Sequence, residues 1–349
     1  MDNPITIKDI AKMCGCGVST VSRAINNHPD INEETRKKIM SVVKEYNFIP
    51  NNSARNLKIT ESKTIAILIK GIANPFFMRM IKIMENDIHN RKYSLIIQHV
   101  DFNQDEVEVA IELEKEKKLK GIIFLGGYFN HTKEKLDAIT VPFIISTVNM
   151  TEQYSGNYSS IAVDDVKESY KIVDYLIKLG HKKILLISAS AEDESIGKLR
   201  KVGYENALKD NGIEIDDSLI VPMSEDADAY SMKAGFITME RALNKKLDFT
   251  AVYAVSDAVA IGTCRALIDA GMKIPEDVSV AGFDGIDNAK YYSPRITTIR
   301  QPFEEMAIET TELLFKYIDG IKDSDKASQK LFDGELVIGE STSKCKEMD

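Results

Sequence analysis

The chain has 349 residues, 44% hydrophobic and 28% charged, which is enough for two or three packed units of ordinary globular composition. No apolar run approaches the length of a bilayer span, the N-terminus has no apolar leader region, and the cysteines at 14, 16, 264 and 345 are too scattered for a disulfide framework, so a cytoplasmic protein is expected rather than a membrane or secreted one. The net charge is −9, but residues 1–60 carry nine Lys/Arg against six Asp/Glu, a balance of +3 that leaves −12 for the remainder; a basic head on an acidic body suits contact with a polyanion through one end.

Three short helical patterns lie between Thr6 and Leu57. In the first, Ile7 to Met13, Thr6 and Asp9 are spaced as a capping box, with Ile7, Ile10, Ala11 and Cys14 on one face. Gly15 and Gly17 supply a tight turn. The second, Val18 to Asn26, puts Val21, Ala24 and Ile25 inward and Val18, Ser19, Ser22 and Arg23 outward. The third begins at the N-cap Asn32, carries Glu33 and Glu34 in its first turn and is expected to bury Ile39, Val42, Val43 and Tyr46.

Taken alone, these patterns fit either a plain three-helix structural domain or a helix-turn-helix whose second helix meets base edges. In the second case the candidate DNA contacts are Thr6, Gly17, Val18, Ser19, Thr20, Ser22, Arg23 and Asn26. Their small side chains allow close approach, and Arg23 offers a fork to guanine, a contact that contributes about 1–3 kcal/mol of discrimination. Cys14 and Cys16 are read as packing residues, because a tetrahedral zinc site needs four ligands and no partner pair follows. No metal and no cofactor are expected.

From Ser62 the chain alternates strands and helices. Thr64–Lys70, Ser94–Val100, Gly121–Leu125 and Pro142–Thr147 read as buried strands, separated by helices at Phe76–His89 and Gln104–Lys118. A second series begins at Ile161, with strands near 183–188, 219–222, 250–255 and 278–283 and helices at 166–179, 199–211, 230–243 and 258–270. The closing portion offers one helix, 304–317, and two short strands around Lys330 and Leu336. Two doubly wound α/β units are expected, each with ligand-accepting loops at the C-terminal ends of its strands. Neither a P-loop nor a Gly-x-Ser-x-Gly elbow is present, so an enzyme is not expected.

IKDIAK, VSTVSRAINN, ETRKKI and YNFIPNNSARNL, in this order and spacing, resemble the headpiece of the lactose/galactose repressor (LacI/GalR) family, and the likeness runs almost to the C-terminus. The chain departs from the family at Cys16-Gly17, where Val-Ser is usual and the serine caps the recognition helix; glycine at an N-cap loses only a few tenths of a kcal/mol, so the helix is expected to survive. The resemblance implies an all-α helix-turn-helix headpiece (1–49), a hinge helix and linker (50–61), and an α/β core (62–345). That core is two doubly wound parallel-sheet subdomains forming a periplasmic-binding-protein-like clamp. The expected division is 62–160 plus 294–325 for one lobe and 161–293 plus 326–345 for the other, with three crossings between them.

By the same resemblance, Asn51, Ala54, Arg55 and Leu57 belong to the DNA-binding set, with Leu57 the apolar wedge into the minor groove. Candidate effector contacts in the cleft are Asn74, Phe76, Phe77, Tyr128, Asn149, Arg200, Ser256, Asp257 and Asp284. One of Phe76 and Phe77 is expected in the core. Tyr128 is equally readable as an exposed loop residue, and Asp257 as a helix cap. Ser256 stands where the family commonly has Asn. The acidic run Glu192, Asp193 and Glu194 near Arg200 favours a neutral ligand over a phosphorylated one.

The implied function is a homodimeric repressor of a carbohydrate-utilisation operon. It would bind a near-palindromic double-stranded operator and answer to a small effector, expected to be a neutral sugar. Alternatives are a purine-type effector or a protein co-regulator. A solute-binding protein, the reading from a different class, is disfavoured by the missing export leader and the attached headpiece. The tail from Ser341 lacks a leucine heptad, so no tetramer is expected.

Overall fold

The computed structural model describes residues 5–25, 28–46, 48, 63–101, 103–128, 131–149, 158–189, 195–321 and 328–346. The segment 50–61 with Asn51, Ala54, Arg55 and Leu57 lies outside the described residues, as do Asn26, Glu192, Asp193 and Glu194. The chain divides into two compact units, Met1–Ser62 and Lys63–Asp349.

The first unit holds three helices, α1 (Ile7–Cys14), α2 (Val18–Ile25) and α3 (Glu33–Glu45). The Asp9 carboxylate accepts from the Thr6 amide at 2.9 Å and the Thr6 hydroxyl at 2.6 Å, fixing the start of α1. Gly15, at φ 66°, ends that helix by donating its N–H to the carbonyls of Ala11 and Lys12. With Gly17 at its N-terminus α2 still forms: the Gly17 carbonyl accepts from Thr20 and Val21 at 3.0 and 3.1 Å. Asn32 caps α3 by accepting from the Glu34 amide at 2.8 Å. Ile10, Ala11, Cys14, Val21, Ala24 and Ile39 make the core. Tyr46, expected inside, is 44% exposed; it is the C-cap residue, where α3 has run past the small core it covers.

The second unit contains two six-stranded sheets. Its elements are β1 (Thr64–Lys70), α4 (Phe76–Asn90), β2 (Ser94–Val100), α5 (Glu106–Lys117), β3 (Gly121–Leu125), α6 (Lys133–Leu136), β4 (Phe143–Ser146), β5 (Tyr158–Val163), α7 (Asp165–Lys178), β6 (Ile184–Ser188) and α8 (Ile196–Asp210). There follow β7 (Ile220–Pro222), α9 (Met232–Asn244), β8 (Ala251–Ala254), α10 (Asp257–Asp269), β9 (Ser279–Asp284), α11 (Asp287–Tyr291), β10 (Thr297–Arg300), α12 (Phe303–Ile318), β11 (Ser328–Phe332) and β12 (Glu335–Val337). The first sheet runs β11-β5-β4-β3-β1-β2 and is parallel throughout. The second runs β12-β10-β9-β8-β6-β7 and is parallel except for the β10–β12 edge pair.

Burial on both faces explains the continuous apolar runs. In β1, Ile65, Ile67 and Ile69 join a cluster with Met80, Ile81 and Met84 of α4 and Leu314 of α12, while Ala66 and Leu68 join Val107, Ala110 and Leu113 of α5 on the opposite face. Each such isoleucine or leucine contributes about 1.5–3 kcal/mol relative to an exposed one.

The lobes interleave more finely than the expected division. β5, placed at the head of the second series, pairs with β4 and completes the first sheet, so the chain first crosses after Val163. Thr297–Arg300, expected in the first lobe and not recognised as a strand, pairs with β9 in the second sheet. Ser328–Phe332, expected in the second lobe, pairs with β5 in the first. Strand pairing is non-local, and hydrophobic pattern alone identifies a strand without naming its sheet. Crossings therefore fall after β5, after β10 and between β11 and β12.

Candidate ligand cleft and nucleic-acid interface

In the first unit Thr6, Gly17, Val18, Ser19 and Arg23 are exposed, Thr20 and Ser22 half-buried, and Val21 and Ala24 buried. The apolar spacing that packs Val21 and Ala24 against Ile10 and Ile39 turns the polar residues of α2 outward. α2 thus presents short side chains and one guanidinium on a solvent-facing surface.

In the second unit the strand ends bring together two adjoining groups of residues. The first is a charged network fully buried at the C-terminal end of β9. Asp284 Oδ2 accepts from the Asn74 amide at 2.8 Å, a bond that joins the two lobes. Its Oδ1 accepts from Gln301 Nε2 at 2.8 Å and from an Arg200 guanidinium nitrogen at 3.5 Å. Arg200 also donates through Nε to Asp165 at 2.8 Å and through Nη1 to the Val255 carbonyl at 2.5 Å, and its guanidinium lies 3.7 Å over the Phe283 ring. Burial disfavours the Arg200 charge, but Asp165 and Asp284 outweigh it and raise its pKa. Burial raises the Asp284 carboxyl against the pull of Arg200, and pushes Asp165 up to about 6. Asp284 sits at φ 117°, an uncommon conformation for a non-glycine residue, which the network holds in place.

The second group lines a small, partly enclosed cavity between the lobes. Lys70, Asn74, Phe77, Tyr128 and Val148 line it from one lobe, and Ser195, Ile196 and Tyr230 from the other. Ser195 Oγ and Tyr230 Oη are 2.9 Å apart. Behind the wall, Glu106 accepts from Lys70 Nζ at 3.0 Å and from the Tyr128 amide at 2.7 Å, and its carboxylate lies 2.8 Å from His131 Nε2. Lys70 also donates to the Gln104 carbonyl at 2.5 Å and stands 3.8 Å over the Tyr128 ring. Burial alone would raise Glu106, yet His131, the Tyr128 amide and Lys70 hold it at about 2. Gly127 is required here: its φ is 118°, and a Cβ would stand 2.6 Å from Glu106 Oε1.

The candidate residues therefore divide. Asn74, Arg200 and Asp284 converge, and Asn74 belongs to both groups, whereas Arg200 and Asp284, at 1% and 2% exposure, do not themselves line the cavity. Tyr128 and Phe77 face the cavity. Phe76 and Phe77 are both buried in the core, at 3% and 6% exposure, where one was expected. Ser256 and Asp257 are fully buried and do not line the cavity: Ser256 caps α10 through the Val259 amide at 3.3 Å, and Asp257 accepts from the Ile286 amide at 2.9 Å, tying down the turn after β9. Burial, then Asp284, raises the Asp257 carboxyl well above its ordinary value. Asn149 also does not line the cavity; its side-chain oxygen accepts from Gln329 of β11. Lys70, Glu106, His131, Asp165, Ser195, Tyr230 and Gln301 were not singled out from sequence. Lys70 alone carried a signal, a charged residue closing a buried strand.

A small helical unit with a polar recognition surface, followed by two doubly wound lobes with a cavity between them, defines a DNA-binding regulator with a clamp-like sensing domain. Residues 6–51 match the bacterial regulatory proteins, lacI family, and residues 173–342 match the periplasmic binding protein-like domain. The HTH-type transcriptional regulator MalR of Clostridium butyricum is 43% identical over 317 residues, 90% of this chain and 93% of that protein. The ribose operon repressor of Haemophilus influenzae is 31% identical over 313 residues, covering 90% and 92%. The crystal structure of the Lac repressor dimer bound to operator and an anti-inducer has the same fold, with a TM-score of 0.72 at 24% identity over 98% of this chain and 100% of that one. The chain belongs to the lacI family. It is a transcriptional regulator with a periplasmic-binding-protein-like effector domain, not an enzyme. Among the described residues no helix is long and apolar enough to cross a membrane.

Proposed function

We propose that the protein is a cytoplasmic repressor of a carbohydrate-utilisation operon whose operator affinity is set by a neutral sugar bound between the two lobes. The observation that carries the effector half is the Asn74–Asp284 bond bridging the lobes beside a cavity walled by Phe77, Tyr128 and Tyr230. Aromatic faces suit stacking on a sugar ring, and the carboxylate and carboxamide suit its hydroxyls. Lys70, which lines the cavity, and Arg200 of the adjoining buried network are both matched by carboxylates, which supports an uncharged ligand.

For the DNA half, Val18, Ser19, Thr20, Ser22 and Arg23 are the base-facing set, with Thr6 and Gly17 at the phosphates; Asn26, Asn51, Ala54, Arg55 and Leu57 complete it. The protein acts as a homodimer on a near-palindromic site, a reading supported by the Lac repressor dimer bound to its operator. Exposed Met78, Ile97 and Tyr291 offer apolar surface for a second copy. The ribose operon repressor supports a carbohydrate operon as the target.

The test is selection of duplexes from a random library by the full chain, followed by binding of the selected duplex with and without neutral sugars, sugar phosphates and purines. Enrichment of a two-fold symmetric site whose affinity changes with a neutral sugar is expected. A symmetric site that answers to a purine, or to a partner protein alone, would replace the effector half.

A further inference from the structure

Lys70 ends β1 at the cavity wall and is 6% exposed. A lone ammonium there would attract an anionic group into the cleft. Instead its charge meets Glu106 at 3.0 Å, and that carboxylate is itself anchored by His131 and the Tyr128 amide. An entering phosphate cannot draw Lys70 away without stranding a buried carboxylate, and it would stand close to a like charge in a poorly hydrated site. The adjoining buried network, which does not line the cavity, repeats the arrangement with Arg200 matched by Asp165 and Asp284.

We propose that Glu106 is the residue that sets the charge selectivity of the cleft: by holding the Lys70 ammonium it keeps the wall neutral, so uncharged ligands enter and anionic ones are refused. Glu106 acts through Lys70 and Tyr128 and does not itself line the cavity. The inference rests on the cleft being the effector site.

Glu106→Gln keeps the shape and removes the charge, leaving Lys70 able to bind an anion. The measurement is calorimetric titration of the full chain with inorganic phosphate at matched ionic strength, for wild type, Glu106→Gln and Glu106→Gln/Lys70→Met. Glu106→Gln is expected to bind phosphate at least about tenfold more tightly than wild type, a change of about 1.4 kcal/mol, and the added Lys70→Met to abolish the gain. A folded Glu106→Gln protein with wild-type phosphate affinity, or a gain that survives Lys70→Met, would overturn the proposal. Should Glu106→Gln not fold, Glu106→Asp withdraws the carboxylate by one methylene: an intermediate gain supports the proposal and wild-type affinity refutes it. The phosphate titration is read without any sugar, so a wild-type protein that binds no sugar counts against the proposed function alone.

Discussion

Glu106 also leaves a mark on stability. Its pKa falls from 4.5 to about 2 on folding, so the stabilisation it provides is complete above 4.5 and is lost as pH falls toward 2. A shift of that size corresponds to roughly 3 kcal/mol. Asp165 works in the opposite sense: its pKa rises from 3.8 to about 6, so the folded state is favoured below 3.8 and loses that advantage as pH rises through 6. Urea unfolding across the acid range should therefore show a smaller stability loss below pH 4.5 in Glu106→Gln than in wild type; an unchanged loss would mean the buried cluster is not what acid disrupts. On the exposed face of α2, Arg23→Ala should weaken operator binding by about 1–3 kcal/mol while non-specific binding changes much less. Equal losses in fluorescence anisotropy on specific and random duplexes would make Arg23 a phosphate contact. In the cleft, Asp284→Asn should remove the effector response and retain operator binding, since its carboxylate is the acceptor shared by Asn74, Gln301 and Arg200. A full response from that variant would take Asp284 out of the site.

Elements were legible where the pattern is local. The runs at β1, β2 and β3 and the capped starts of α1 and α3 coincide with the strands and helices observed, because alternation and caps are written in neighbouring residues. β10 was missed, since four residues carry too little pattern, and the sheets of β5, β10 and β11 depend on partners far along the chain. The cleft divides in the same way. Arg200 and Asp284 were accessible through resemblance, whereas Glu106 lies in a charged helix start that reads as solvated, and only the fold, which brings the Tyr128 amide and His131 to it, reveals its partners. Ser256 and Asp257 serve a cap and a turn in the structure, roles that strand-end polar residues take as readily as ligand binding and that the pattern alone does not separate. At this scale two substitutions report on packing. Ile123→Ala, in the centre of the first sheet at 0% exposure, should lose about 2–5 kcal/mol in chemical denaturation. Asn32→Ala should destabilise the small headpiece by about 0.5–2 kcal/mol through its lost cap, with the melting of the second unit unaffected.

At the scale of the molecule, two lobes joined by three crossings meet at a buried bond from Asn74 to Asp284, and Asp165 and Gln301, next to the crossings after β5 and β10, belong to the same network. A ligand that takes over the Asp284 carboxylate thus touches the groups that set the angle between lobes, and such differential contact is what a change in operator affinity requires. The most direct measurement is thermal denaturation of the full chain in the presence of neutral sugars, sugar phosphates and purines, each far above its plausible Kd. A ligand at about 100 times its Kd stabilises by about 2.7 kcal/mol, well within detection. The account predicts that a neutral sugar raises the midpoint and that Asp284→Asn abolishes the rise. A rise with sugar phosphates or purines and none with neutral sugars would contradict it.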